Sequence, residues 1–206
     1  DDSGQEINFD CSFESGANML IADNLRGKSS VFKVIKYALT GANSLKPDIK
    51  SWIKQVLLKF NISSKEYTVY LNLEKRLHGL LISGNAEFED IEIIDNRIIF
   101  EANSEKDYQA QIENFFFNQF AYYSLKWTQK SPVKSSDELL EAGASWKTYF
   151  KSILLESKDS GTLMYGDQGN KIFQMLLGLQ LTYPSNRLSI KKDKIVYEKA
   201  REESSL

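Results

Sequence analysis

The sequence predicts an α/β fold in which a phosphate-binding loop joins a strand to a helix, followed by an antiparallel β subdomain and a helical part. Three observations predict it. The stretch Ala22-Asp23-Asn24-Leu25-Arg26-Gly27-Lys28-Ser29-Ser30 has a small residue, four variable positions and then Gly-Lys-Ser, the spacing of a loop that cradles phosphate. The apolar run Met19-Leu20-Ile21 precedes it, and Val31, Val34, Ile35, Ala38 and Leu39 after it share one helix face. From Val56 onward, short runs of alternating apolar residues are separated by turn residues, the pattern of an antiparallel meander rather than a βαβ repeat.

The elements follow in order. Ile7, Phe9, Cys11 and Phe13 alternate with Asn8, Asp10 and Ser12, so a half-buried strand is expected, ended by a turn at Ser15-Gly16. Met19-Leu20-Ile21 is expected as a buried strand leading into the loop. The helix after the loop is expected to stop at Thr40-Gly41-Ala42-Asn43, where glycine follows the last apolar position. Val56, Leu58, Phe60 and Ile62 share one strand face, and Tyr67, Val69, Leu71 and Leu73 share another. Ser63-Ser64-Lys65-Glu66 connects these two strands as a hairpin. A third strand is predicted from Gly79 to Ser83, and two shorter ones at Glu92-Ile93-Ile94 and from Arg97 to Glu101, with Asp95-Asn96 turning between them.

Helices come next. One runs from Glu105 to Lys126 and is apolar on more than one face, through Tyr108, Ile112, Phe115, Phe116, Phe117, Phe120, Tyr122 and Tyr123. After a loop at Ser131-Pro132-Val133-Lys134-Ser135-Ser136, Trp146, Tyr149, Phe150, Ile153 and Leu154 mark a second helix. Ile172, Met175, Leu176 and Leu179 mark a third. Tyr183-Pro184-Ser185-Asn186 reads as a turn. From Asp193 the chain is charged, as an exposed helix would be.

Composition narrows the function classes. The 206 residues suit one large domain or a domain with an inserted subdomain, and 42% apolar with 26% charged residues is ordinary for a soluble globular chain. A net charge of −2 gives no global pull toward nucleic acid, so a DNA contact requires a local patch or a partner. Cys11 is the single cysteine, which excludes an internal disulfide and fits a reducing cytoplasm. No apolar run approaches the roughly 18 residues of a membrane span. The first residues are acidic and polar and lack an initiating Met, as expected of a trimmed fragment without a signal peptide.

The loop carries the chemistry. A helix start leaves backbone N–H groups without partners and places partial positive charge beside them; a nucleotide phosphate satisfies both. Gly27 lets the backbone approach the phosphate, Lys28 reaches the outer phosphates, and the Ser29 hydroxyl helps hold magnesium. Asn24, Leu25, Arg26 and Ser30 complete the backbone cradle. The same residues also read as an ordinary basic helix start capped by Ser29 or Asn24.

This order of elements, with Gly16-Ala17-Asn18-Met19-Leu20-Ile21, the loop from Asn24 to Ser30 and a helix ending Ala38-Leu39-Thr40-Gly41, resembles the N-terminal half of an ATPase head of the SMC/RecN/SbcC type, a branch of the ABC ATPases. The Gly-Lys-Ser-Ser ending and the Asn three places before Gly27 are typical of that branch; Ala22, Leu25 and Arg26 depart from its glycine-rich form. The resemblance implies a P-loop NTPase of the ABC/SMC head type, with residues 1–190 as its N-terminal lobe and 191–206 as the start of a coiled-coil helix. It implies ATP and Mg2+ as ligands, and ATP-driven head dimerisation acting on DNA in chromosome maintenance, repair or defence against foreign DNA. The implied partners are the C-terminal half of the same head, a second head in a homodimer, DNA, and accessory or nuclease subunits, in the cytoplasm and with no membrane. Hydrolysis is expected only once the C-terminal half or a second head completes the site. Gln168, in Tyr165-Gly166-Asp167-Gln168-Gly169, is either the magnesium-sensing glutamine of such a head or a polar turn residue. The alternative from another class is a nucleotide-switched protein-interaction module with little or no hydrolysis.

Other features are weaker. Ile91-Glu92-Ile93-Ile94-Asp95 is the nearest approach to an apolar strand ending in Asp, but Glu92 interrupts it and Asn96 follows it, so a hairpin turn is the better reading and no acidic catalytic pair is identified. Leu81-Ile82-Ser83-Gly84-Asn85 matches a signature motif in letters but falls in the β region, whereas that motif opens a helix. His78 has no Cys or His in reach and reads as a strand surface residue. The rings from Phe115 to Tyr123 read as core, and Lys191, Lys192 and Lys194 as a solvated helix start, over the alternatives of base stacking and phosphate contact.

Overall fold

The computed structural model of the chain describes residues 8–21, 23, 27–120, 126–131, 138–154, 177 and 181–204. The chain forms two compact units, Asp1–Ile112 and Glu113–Leu206.

In the first unit, α1 spans Lys28–Thr40 and α2 spans Pro47–Trp52. Four strands follow, β1 Gln55–Ile62, β2 Lys65–Asn72, β3 His78–Ser83 and β4 Ile98–Ala102, as an antiparallel sheet in the order β1-β2-β3-β4. Phe60 pairs with Tyr67 across the β1–β2 hairpin, Leu71 with Gly79, and Leu81 with Phe100. The meander is therefore as the alternation predicts, and Ser63 turns the hairpin at φ 56°. β2 is central and buried on both faces from Tyr67 to Leu71. One face packs Tyr70, Leu80 and Ile82 against Ala86 and Ile94 from the crossing chain between β3 and β4. The other carries Leu71, Leu81 and Phe100 beneath Tyr108 of helix α3, Glu105–Gln119; the Phe100 and Tyr108 rings lie 5.8 Å apart. A Cβ at Gly79 would stand 2.6 Å from the Tyr108 ring, so that close approach requires glycine.

Three expected strands are absent among the described residues. Residues 8–14 and 17–21 are irregular, with Met19 82% and Ile21 80% exposed, and not strands. A strand needs a neighbour to receive its hydrogen bonds, and these residues pair with no strand among the described residues. The Asn18 side chain instead bonds the Glu14 N–H at 2.9 Å and the Glu14 carbonyl at 2.6 Å, closing the Ser15-Gly16 turn on itself. Ile7, the first residue of the expected strand, lies outside the described residues. Glu92-Ile93-Ile94 is likewise a turn after a short 3-10 segment, Phe88–Asp90. Ile94 is drawn into the core while Ile93 faces solvent, and the Thr68 hydroxyl donates to Gly84 O at 2.9 Å and accepts the Ala86 N–H at 3.1 Å, steering the chain across the sheet.

The second unit contains the remainder of α3, the hairpin of β5 Lys126–Lys130 and β6 Leu139–Gly143, the short helix α4 Trp146–Phe150, and α5 Thr182–Ser204. Its core is aromatic. Phe116 stacks on Trp146 at 4.6 Å and on Phe120 at 6.0 Å, and Phe117 meets Tyr149 edge-on at 5.3 Å. The rings from Phe115 to Phe120 are therefore packing residues; Tyr122 and Tyr123 lie outside the described residues. The helix predicted to reach Lys126 ends at Gln119, because Lys126 pairs with Gly143 at the start of β5. Tyr183-Pro184-Ser185-Asn186 lies within α5 instead of forming a turn: Pro184 sits in the first helical turn, where a missing N–H breaks no bond. The buried Asn186 amide accepts the Lys126 N–H at 3.0 Å and donates to its carbonyl at 2.8 Å, so one side chain binds the strand edge as a neighbouring strand would. The helix expected over Ile172 to Leu179 and the loop at 132–136 lie outside the described residues, apart from Leu177.

Candidate functional site

The candidate site is the entrance to α1. Gly27 occupies the N-cap position with φ 83° and ψ 3°, in the left-handed region that an L side chain rarely adopts, and a Cβ there would meet nothing within 4 Å. Its carbonyl accepts the N–H groups of Ser30 at 2.8 Å and Val31 at 3.1 Å, starting the helix. Gly27 takes the cap position; among the described residues no side chain supplies the cap, and no carboxylate lies in the first turn. A helix start of this kind favours an anion.

Lys28 is the first helical residue, and its ammonium donates to the Asp23 carbonyl at 2.7 Å. Ser29 is exposed in the first turn and Ser30 is partly covered. Gly27, Lys28, Ser29 and Ser30 thus form the N-cap and first turn of α1. Asn24, Leu25, Arg26 and Gln168 lie outside the described residues. The Asp23 carbonyl was not legible as the partner of Lys28, because a backbone acceptor leaves no signal in sequence.

The far end of α1 is fixed by α3, which holds the candidate site's helix on the sheet. Gly41 closes α1 at φ 66°, its N–H on Tyr37 O at 2.8 Å, and packs so tightly that a Cβ would lie 2.5 Å from the Gln109 Cα. The fully buried Tyr108 hydroxyl donates to Ala38 O at 2.5 Å, and Lys50 pairs with Glu105 at 2.5 Å. Burial, then the Glu105 charge, pushes the Tyr37 hydroxyl far above the usual tyrosine range, and burial followed by Tyr37 does the same to Tyr108. The Tyr37 hydroxyl makes no hydrogen bond of good geometry among the described residues; Glu105 acts on it chiefly through its charge.

The weaker features resolve as follows. Leu81 and Ile82 are fully buried in β3, so the signature-like letters are strand. His78 bonds Glu101 through Nε2 at 2.9 Å at the surface of the sheet, and among the described residues no group of three or more His, Cys, Asp or Glu is placed to hold a metal ion. Lys194 reaches Glu141 at 2.5 Å and Lys126 reaches the same carboxylate at 3.2 Å; the two cations hold its pKa below the ordinary range. Among the described residues no helix is long and apolar enough to cross a membrane. Comparisons with protein-family models, with curated proteins and with solved structures found no match.

Proposed function

We propose that the chain is the ATP-binding lobe of an SMC-like ATPase, a P-loop NTPase of the ABC/SMC head type that acts on DNA by ATP-driven head dimerisation. The observation that carries this reading is Gly27, held left-handed at the open start of a helix whose next residues are Lys28 and Ser29. ATP is the substrate in this reading. The backbone from Asn24 to Ser30 receives its phosphates, Lys28 leaves the Asp23 carbonyl to neutralise their charge, and Ser29 offers a hydroxyl to Mg2+. Gln168 is the second magnesium contact proposed. The exposed Met19 and Ile21 are the apolar surface that the C-terminal half of the same head covers, turning residues 17–21 into the strand the loop requires. A second head, DNA and accessory or nuclease subunits complete the assembly, in the cytoplasm.

Amide exchange tests this directly. A non-hydrolysable ATP analogue with magnesium is expected to slow exchange at Gly27 to Val31 while leaving β4 unchanged. Unaltered exchange at the loop under saturating analogue contradicts the reading.

A second reading, a nucleotide-switched interaction module with little or no hydrolysis, is favoured by residues 91–95. The nearest sequence to an acidic catalytic strand is there a turn, with Asp95 exposed. DNA-stimulated turnover in an assembled head separates the two: its presence supports the ATPase, and nucleotide-dependent assembly without turnover supports the module.

A further inference from the structure

The sheet of the first unit has two unlike edges. β4 is five residues long, its register with β3 shifts at Leu81/Ile82, and the Gln111 amide donates to the Glu101 carbonyl at 3.0 Å. Short length, a break in register and a covering group are ways in which proteins blunt an edge. β1 has none of these. It is eight residues long, contains no proline and pairs with β2 in unbroken register from Gln55 to Ile62. No strand lies on its other side among the described residues. The single charged side chain of β1, Lys59, is held by Glu87, so its charge is answered within the chain.

The pairing fixes which groups the open edge presents. In an antiparallel pair, alternate residues bond to the neighbour and the others point away from it. Ile62 and Lys65 close the two-residue turn, and the Leu73 N–H donates to the Lys54 carbonyl at 2.7 Å, so the even-numbered residues of β1 bond to β2. The N–H and C=O groups of Gln55, Leu57, Lys59 and Asn61 therefore point outward. Beside them Val56, Leu58 and Phe60 share one face of the strand and are only half-buried.

This edge complements itself. Two copies meet antiparallel across a two-fold axis only in registers that oppose outward residues to outward residues. With Leu58 on the axis, Leu57 meets the partner's Lys59 and Gln55 meets the partner's Asn61, so every outward group gains a donor or an acceptor. Leu58 then faces the partner's Leu58, Val56 faces the partner's Phe60, and no like charges stand opposite. Moving the axis to Lys59 sets two cations against each other, which is unfavourable. Moving it to Leu57 carries Asn61 past the end of the partner strand. A foreign strand has to bring such a complement, whereas a second copy already carries it, as an isologous pair requires.

We propose that β1 is a strand-addition edge at which two copies of the chain pair, with Leu58 on the axis, joining their sheets into one. The pairing needs no nucleotide and uses no part of the loop at Lys28. It is therefore distinct from ATP-driven head dimerisation and holds whether or not that loop binds ATP.

Sedimentation equilibrium of the chain without nucleotide is expected to show a reversible monomer–dimer equilibrium. Lys59→Pro removes an outward N–H at an edge position where proline is tolerated, and is expected to weaken the dimer at least about tenfold. A second arm reads the register without depending on how that variant folds. In a Cys11→Ser background, which removes the exposed native thiol, Leu58→Cys places two sulfurs across a non-hydrogen-bonded pair, where Cα atoms about 4.5 Å apart suit a disulfide. It is expected to cross-link under mild oxidation, and Phe60→Cys to do so far more slowly. A monomer at every concentration, a dimer that forms only with ATP and magnesium, a dimer undiminished in folded Lys59→Pro, or equal cross-linking of Leu58→Cys and Phe60→Cys overturns the proposal.

Discussion

Tyr108→Phe isolates a buried polar contact that ties the candidate site's helix to α3. The ring stays, so its packing beneath Gly79 and Phe100 is kept and no cavity opens. What is lost is the hydroxyl that donates to Ala38 O at 2.5 Å. Ala38 lies in the last turn of α1, where carbonyls have no N–H ahead of them in the helix. The Ala42 N–H turns instead to the Thr40 hydroxyl at 3.2 Å. A buried carbonyl without a donor costs about 1–3 kcal/mol, which at this chain length lowers Tm by roughly 3–10 °C. Urea unfolding followed by circular dichroism measures the loss, and the slope should not change because the surface exposed on unfolding is the same. Alkaline pH provides a second arm. The folded pKa of Tyr108 is raised above its unfolded value near 10, so its contribution is complete below about pH 10 and is lost as pH rises further. The Phe variant should therefore lose less stability than the wild type between neutral and strongly alkaline pH. A Phe variant within experimental error of the wild type at pH 7 would refute the view that Tyr108 caps α1.

Glu113 and Asn186 give two further predictions in the second unit. The Glu113 carboxylate accepts the Trp146 N–H at 2.6 Å at the start of α4. Its pKa is raised by burial, an effect that the bond to Trp146 opposes. A raised folded pKa means that its contribution is full below the ordinary carboxylate value and is lost as pH rises. Glu113→Gln, which retains an accepting oxygen, should equal or exceed the wild type in Tm at pH 7 and lose that advantage in acid; a Tm several degrees lower at pH 7 would contradict this. Asn186→Ala removes both bonds to the Lys126 backbone and should cost roughly 2–4 kcal/mol, with faster amide exchange at Lys126; protection unchanged there would show that the hairpin is held by other contacts.

What the sequence discloses depends on how local its cause is. α1, the hairpin at Ser63-Ser64, β3 and the charged α5 follow from periodicity and turn residues that act within a few positions. Misreadings arise where a distant partner decides. Met19 and Ile21 have strand character but pair with no strand among the described residues, so apolarity alone does not make them a strand. The aromatic run after Phe115 resembles an uninterrupted helix until Gly143 claims Lys126 as a strand partner. Asn186 reads as a turn residue because nothing near it reveals that its amide serves a strand sixty positions earlier. At the candidate site, the sequence marks Gly27 as a place where backbone can near a phosphate, but neither its left-handed conformation nor the Lys28 contact to the Asp23 carbonyl is legible there.

The proposed function requires a triphosphate to bind at Lys28. Calorimetric titration of the chain with ATP and magnesium, repeated with Lys28→Ala, tests it most directly. Saturable binding to the wild type, loss of that binding in the variant, and the same Tm for both without nucleotide are expected. Equal ATP affinity in the two proteins would contradict it.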